Sequence, residues 1–432
     1  MKAELYNPTP KPINNLAIVG GGVASVCLAQ QLLDKNPNLN ISLICQDEQV
    51  ARGASGNKQG AVYPHLQGSK SAIAELNAIC YQYATEFYKK TLGAGIEFQH
   101  QWCGVLQQAF TDELNERYHR VAKTWPDLVQ FVDMQKSSEL ANLELPFPSL
   151  WFPNGGWLAP YELCRSLADS LVNDSGIELR LNTQVSAISR TNERWQVSLS
   201  QESTQLCYDA VVICGGHLSA QFPQTQHLPL EPIRGQVSRL HARSAMAQLQ
   251  TVLCHKGYIT PNQGEYQCFG ATFDRHQDST APSELDDRRN LEQLKKVYQS
   301  QGWSQSLTER DIIDRKAGVR ANSPDHLPIV GQVYSDQWIS ANVDKNNGKM
   351  KRLDKIKFKN TLGQPCYQTS ELENLYVLTG LGARGLTTAP LMASYLSDLI
   401  LGLESELPDR LVCAISPKRY QVRALKRNKS VQ

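Results

Sequence analysis

Apolar positions along the chain follow two alternating periods. Leu16-Ala17-Ile18-Val19 is a short unbroken apolar run that stops at Gly20-Gly21-Gly22, and Val23 to Leu33 then carries apolar residues at helical spacing. Asn36-Pro37-Asn38 breaks the helix, and Ile41-Ser42-Leu43-Ile44-Cys45 reads as the next strand. The first 48 residues are thus predicted to form a βαβ unit, which implies a parallel sheet with a right-handed crossover. A helix is expected over 71–92, with Ile73, Leu76, Ile79, Tyr83 and Phe87 on one face. Strands return at Ile177–Leu181 and Trp195–Leu199, both alternating, and at Ala210–Cys214, a buried-type run ending in Gly215-Gly216. Residues 230–275 read as short strands with turns at Pro261-Asn262 and Gly264. The chain closes by repeating its opening pattern: strand Leu375–Leu378, GLGARG at 380–385, and a helix to about Leu401. Thr387 or Thr388 is the expected cap of that helix, with Pro390 in its first turn.

Composition narrows the class. A length of 432 residues predicts two or three domains and a core that needs no staples. The apolar runs are too short for a membrane helix, and the leader MKAELYNPTPKPINN, with three prolines and no apolar segment, is not expected to be a secretory signal. Eleven cysteines, an odd number without a CxxC pair, argue against a disulfide framework or zinc ribbon and suit a cytoplasmic protein. Scattered histidines offer no metal-binding spacing, so no metal is expected. The net charge of +2 conceals a polarised chain. Residues 341–432 hold 15 of the 44 basic residues and 8 of the 42 acidic ones.

Chemistry first shows in the glycine triplet. Gly20-Gly21-Gly22-Val23-Ala24-Ser25 fits G-x-G-x-x-small between a strand and a helix, the context of a dinucleotide loop. Gly20 permits the turn, Gly22 lets backbone approach a pyrophosphate, and Ser25 is small enough for helix–strand packing, although Gly or Ala is usual there. The helix N-terminus supplies N–H groups and a partial positive charge to the phosphates. Cys45-Gln46 occupy the place where a ribose-binding acid is normally found, which leaves Asp47 or Glu48 for that contact, with Asp47 the expected one.

Four further clusters point to FAD rather than a nicotinamide. They are Arg52–Ala61 (RGASGNKQGA), Val211–Gly216 (VVICGG), Ala317–Arg320 continuing to Asp325–Gly331 (DHLPIVG), and Gly380–Leu386. In this order they resemble the D-amino-acid oxidase and glycine oxidase superfamily of FAD enzymes. GASGNKQGAVYP (53–64), GGWLAPYEL (155–163), RGQV (234–237), GYITP (257–261), AGVRANSPDHLPIVG (317–331) and GLGARGLTTAPL (380–391) narrow the resemblance further. They are similar to the oxidoreductase half of a family of bifunctional tRNA-modifying enzymes, over about residues 14–429.

That resemblance implies an α/β fold: a Rossmann-like FAD-binding domain of D-amino-acid oxidase type, interleaved with an antiparallel-sheet substrate domain. The expected division is 1–14 as leader or linker, 15–100, 155–222 and 315–412 as the discontinuous FAD domain, 101–154 and 223–314 as the substrate domain, and 413–432 as a basic C-terminal tail. The implied cofactor contacts are Gly20, Gly22, Ser25, Asp47, Ala54, Ser55, Gly56, Gln59, Gly60, Val185, Cys214, Gly215, Gly382, Arg384, Gly385 and Leu386. No cysteine is expected to anchor the flavin covalently. The implied reaction is oxidation of the carboxymethylaminomethyl group of 5-carboxymethylaminomethyl-(2-thio)uridine at the tRNA wobble position, giving the 5-aminomethyl base. A methyltransferase activity, in a separate or upstream domain, would then methylate it. A carboxylate substrate calls for a planar bidentate donor, and Arg320 falls where the superfamily places its carboxylate-binding arginine. Tyr258 matches the tyrosine beside that carboxylate. Seven basic residues in 345–359 and six in 418–429 form two clusters, and Lys418, Arg419, Arg423, Lys426 and Arg427 of the second are the expected tRNA contacts. An oxidase of free glycine or sarcosine-like amines is the alternative, and a nicotinamide dehydrogenase or a vestigial tRNA-docking module the less favoured ones.

Overall fold

In a computed structural model, residues 12–202, 205–351 and 370–427 are described. The opening βαβ unit nucleates a six-stranded sheet. Its order is Ile329–Gln332, Leu375–Thr379, Ala210–Ile213, Asn15–Val19, Asn40–Ile44, Glu178–Arg180, parallel except for the first of these. Side chains alternate strictly across it. Leu16 and Ile18 join a core with the helices Val23–Lys35, Ala72–Gly93, Pro160–Ser175 and Gly385–Leu401. Ala17 and Val19 face the opposite core, shared with the antiparallel strands Val185–Thr191, Arg194–Leu199 and Gln205–Tyr208. Both faces of the central strands are therefore buried, which is why they read as continuous apolar runs. The strand expected at 177–181 from its alternation is an edge strand of this parallel sheet, where one side stays wetter.

A second sheet of nine strands is predominantly antiparallel. Glu231–His241 is its spine, pairing with Tyr266–Gly270, with Asp274–Arg275 and, over almost its whole length, with Ile312–Asn322. The division expected at residue 315 therefore needs moving. Residues 315–322 belong to the second sheet, because the pairing of Ile233 with Arg320 continues the ladder, and the chain rejoins the first sheet only at Ile329.

The last helix begins earlier than the threonines suggest. It spans Gly385–Leu401 with Arg384 before it and no side-chain cap, so Thr387 and Thr388 lie inside the first turn. Thr388 Oγ1 instead donates to the Arg384 carbonyl, 2.9 Å away. Pro390 therefore falls in the second turn, where it cannot donate to the Leu386 carbonyl four residues back. The Tyr88 hydroxyl donates to that carbonyl instead, at 2.6 Å.

Residues 413–427 are not a free tail. Helices Asp409–Ile415 and Arg419–Lys426 pack back on the body, and Asp325 accepts hydrogen bonds from Arg419, Tyr420 and Arg423. No helix among the described residues is long and apolar enough to cross a membrane.

Candidate cofactor and active site

A cavity of about 600 Å³ runs along the C-terminal ends of the parallel strands and under the second sheet. Gly20 turns the chain there with φ +134°, and a Cβ on it would stand 2.5 Å from the Cys214 carbonyl oxygen. This glycine is required both by conformation and by the closeness of the neighbouring strand end. The helix that follows, Val23–Lys35, has Gly22 at its cap and no capping side chain. Ser55 Oγ accepts from the Val23 N–H at 3.0 Å, which fastens the glycine- and serine-rich loop to this helix start. Helix Gly385–Leu401 also begins on the cavity wall without a side-chain cap. Two helix N-termini thus present partial positive charge to one cavity. An anionic, extended dinucleotide such as FAD fits these walls: glycines where backbone must come close, and two helix starts whose N–H groups lack side-chain caps.

Most of the expected cofactor residues line the cavity: Gly20, Gly22, Asp47, Ala54, Ser55, Gly60, Val185, Cys214, Gly215, Gly382, Arg384, Gly385 and Leu386. Ser25, Gly56 and Gln59 stand off its wall. Ser25 is fully buried behind the loop. A Cβ on Gly56 would meet the Ala51 carbonyl oxygen at 2.7 Å, so this residue shapes the loop. Gln59 is a strut. Its amide donates to the Pro261 carbonyl at 3.0 Å and accepts from Thr260 Oγ1 at 2.7 Å and from the Cys268 N–H at 3.2 Å, tying the glycine- and serine-rich loop to the second sheet. Of the two candidate ribose acids, Glu48 is paired with Arg52 at 2.8 Å, whereas Asp47 reaches the cavity. Burial, with Glu48 close by, raises the Asp47 carboxyl above the usual range. Cys45 and Cys214 also line the wall, and burial pushes their thiols up to about 11 and about 12, so both are neutral.

At the other end stand Arg320 and Tyr258. The Arg320 guanidinium donates to the Thr272 carbonyl at 3.3 Å, and no acid among the described residues pairs with it. Burial pulls it below its ordinary pKa, with Tyr258 acting in the opposite direction, but a guanidinium stays charged. A partly buried cation left without a counter-ion is costly unless a ligand supplies the anion. Tyr258 donates to the Gln59 carbonyl at 3.1 Å, and burial raises its phenol, which keeps it neutral. Arg384 lies over the Tyr63 ring, 4.3 Å from its centroid, and donates to the Tyr63 carbonyl at 3.1 Å.

Sequence reasoning passed over Gly235, inside the RGQV motif. A Cβ there would come within 2.6 Å of Arg320 Cζ, so the glycine opens the groove across which the arginine reaches Thr272. Its presence in the motif was legible, but the arginine it serves is 85 positions later. His255, Lys256, Thr272 and Phe273 also line this end and were not anticipated, since nothing local in the sequence joins them.

Two of the five expected tRNA contacts are engaged elsewhere. The Arg419 side chain is 4% exposed and holds Asp325 at 2.9 and 3.0 Å, and Lys418 is tucked over the Tyr334 ring. Arg423 also pairs with Asp325, at 2.7 Å, but is half exposed. Lys426 and Arg427 are exposed and have no acidic partner among the described residues. The loop carrying exposed Lys345 and Lys349 packs against the same helix, where a Cβ on Gly348 would stand 2.8 Å from Lys426 Nζ and from Val422 Cγ1. Two clusters separate in sequence therefore meet. The remaining basic positions at 352–359 and Lys429 lie outside the described residues.

Comparison with known proteins agrees with this geometry. The profile of the family described as FAD dependent oxidoreductase (DAO) matches residues 15–399. The chain is 34% identical over 428 residues to the tRNA 5-methylaminomethyl-2-thiouridine biosynthesis bifunctional protein MnmC of Pseudoalteromonas translucida (strain TAC 125), covering 98% of this chain and 61% of that protein. It is 33% identical to the protein of the same name from Aliivibrio fischeri (strain ATCC 700601 / ES114), covering 98% and 60% respectively. The chain thus spans about three-fifths of the length of these curated relatives. Among solved structures, glycine oxidase from Geobacillus kaustophilus superposes with a TM-score of 0.73 at 19% identity, covering 94% of this chain and 99% of that one. L-proline dehydrogenase from P. horikoshii gives 0.72 at 16% identity, covering 97% and 99%. These two likenesses concern the fold.

Proposed function

The chain belongs to the DAO family of FAD-dependent oxidoreductases, and from that premise we propose that it oxidises the carboxymethylaminomethyl group of wobble 5-carboxymethylaminomethyl-(2-thio)uridine in tRNA. The observation that carries the reading is Arg320, a charged guanidinium on the cavity wall without an acidic partner among the described residues. A glycine-like side chain ends in the carboxylate it lacks. The relatives' name supplies the rest, because the biosynthesis of 5-methylaminomethyl-2-thiouridine requires the methylaminomethyl group to be made.

Arg320 binds the substrate carboxylate through two parallel N–H donors, and Tyr258, a neutral phenol held by Gln59, borders it. This fixes the methylene between nitrogen and carboxylate, so that orientation does not have to be found during the reaction. The chemistry that FAD would supply when bound is acceptance of a hydride from that methylene. Loss of the hydride and of the N–H proton leaves a C=N bond in the substrate. Water adds across it and the C–N bond breaks, giving the 5-aminomethyl base and glyoxylate. Two electrons leave with the hydride, and the oxygen of water ends in glyoxylate. Gly20 to Ala24 and the start of helix Gly385–Leu401 would hold the pyrophosphate and flavin, and Asp47 the adenosine ribose. Lys345, Lys349, Lys426 and Arg427 form the surface that would meet tRNA phosphates.

The test is analysis of product nucleosides. Incubation with tRNA bearing the carboxymethylaminomethyl group, followed by digestion and mass spectrometry, should show the aminomethyl nucleoside and one glyoxylate per base converted. Unchanged nucleoside, with peroxide formed from free glycine or sarcosine, would place the enzyme among small-amine oxidases instead.

A further inference from the structure

The wobble base cannot follow its side chain to Arg320 without leaving the anticodon stack, so something at the cavity mouth has to receive it. Among the described residues that line the cavity, one large aromatic is exposed. Phe273 is 51% exposed and lines the same cavity as Arg320. It follows directly on Thr272, whose carbonyl accepts from Arg320.

Its exposure does not come from a loose loop. Thr272 Oγ1 accepts from the Gln236 N–H at 2.9 Å, and the Thr272 N–H donates to the Gln236 carbonyl at 3.1 Å. On the other side, Asp274 and Arg275 pair with Arg234 and Ile233, and the Asp274 carboxylate takes two bonds from Arg289 at 3.0 and 2.7 Å. Backbone pinned on both flanks therefore holds this exposed ring in a fixed place on the cavity wall. Beside it stands a cation. Lys256 is exposed, lines the mouth, and has no acidic partner among the described residues. Its turn and the bend before Phe273 are packed together, since a Cβ on Gly257 would come within 2.8 Å of the Gly270 carbonyl carbon.

We propose that Phe273 and Lys256 form a nucleotide-gripping lip: the pyrimidine carrying the carboxylate-ended arm stacks on Phe273, and Lys256 takes an adjoining phosphate. The dimensions agree. Four bonds join the pyrimidine carbon to the carboxylate carbon, roughly 5 Å when extended, and Phe273 is one residue, about 3.8 Å in Cα spacing, from the carbonyl that touches Arg320. Phe273 is thus a base-positioning residue, which rests on the tRNA reading above but also predicts a preference that can be measured without tRNA.

Two substrates separate these ideas. N-Benzylglycine has the same aryl–CH2–NH–CH2–carboxylate arm, and N-methylglycine has the arm without the ring. The holoenzyme should favour N-benzylglycine in kcat/KM by about 10-fold or more. Phe273→Ala should abolish that preference, and Phe273→Tyr should restore it. With modified tRNA, Phe273→Ala should raise KM by about 10-fold at nearly constant kcat, and Lys256→Ala should reduce the slope of log binding constant against log salt by about 1. If Phe273→Ala alters neither the aryl preference nor the KM for tRNA, the lip is refuted while the tRNA reading stands. If modified tRNA is not turned over but the aryl preference still depends on Phe273, the lip stands for an aromatic amine and the tRNA reading fails.

Discussion

Gly235→Ala is the sharpest probe of how the fold sets Arg320. Gly235 sits in the spine strand of the second sheet, paired with Gly318 on the strand that carries Arg320. Its φ is not in the left-handed region, so alanine is tolerated by the backbone. The new methyl would stand 2.6 Å from Arg320 Cζ, where ordinary contact begins at 3.4 Å. The strand is held on both sides, so the free end of the arginine moves, and a misplacement on the order of 1 Å typically costs about 100-fold in rate. Two charge-assisted hydrogen bonds to a carboxylate are each worth about 1.5–3 kcal/mol, so losing the better part of one is consistent with that figure. The expected loss in kcat/KM for the carboxylate substrate is therefore about 100-fold, or about 2.7 kcal/mol, with FAD content and thermal midpoint unchanged. The assay is a double-mutant cycle read by anaerobic flavin reduction. Because the methyl acts only through the arginine, adding Gly235→Ala to Arg320→Ala should cost almost nothing more. Additive losses, or release of FAD from the single variant, would refute the reasoning.

Three further outcomes follow from the packing. Tyr88→Phe leaves the Leu386 carbonyl, which Pro390 cannot serve, without its donor. It should lower stability by about 1–3 kcal/mol in urea unfolding and weaken FAD retention, since Leu386 lines the cavity. Burial alone would raise the Asp325 carboxyl, but hydrogen bonds from Arg419, Arg423 and Tyr420 hold it well below the usual range. Its contribution is thus complete above the unfolded carboxylate pKa of about 4 and is lost as the pH falls further. Asp325→Asn should cost about 3 kcal/mol at neutral pH, and the gap from wild type should narrow below about pH 4. Burial lowers His255 to about 3. Below about pH 6.5 the unfolded chain binds a proton there that the folded protein refuses, so stability should fall with acid by up to about 1.4 kcal/mol per pH unit. His255→Gln should flatten that slope of urea midpoint against pH by one proton.

The dinucleotide half was legible because its signals are local. A glycine triplet between an apolar run and a helical stretch has few other structures open to it, and strands buried on both faces declare themselves without a partner in view. Boundaries were less so. Residues 315–322, expected in the FAD domain, belong to the second sheet because Ile312–Asn322 pairs with Glu231–His241 across 70 intervening residues. Arg419 was misjudged for a related reason: a basic residue in a charge run looks solvated until Asp325, 94 positions earlier, folds against it. The substrate end of the cavity was the least readable. Phe273, Lys256 and Gly235 come from three turns or strands and acquire meaning only beside Arg320.

The central claim is that a flavin in this cavity takes electrons from a glycine-like group carried on tRNA. Anaerobic titration of the yellow holoenzyme with tRNA bearing 5-carboxymethylaminomethyl-uridine tests it most directly. The account predicts stoichiometric bleaching of the flavin by this tRNA, absent with the unmodified transcript and strongly slowed in Arg320→Ala. Flavin that stays oxidised with the modified tRNA but bleaches with free glycine would contradict it.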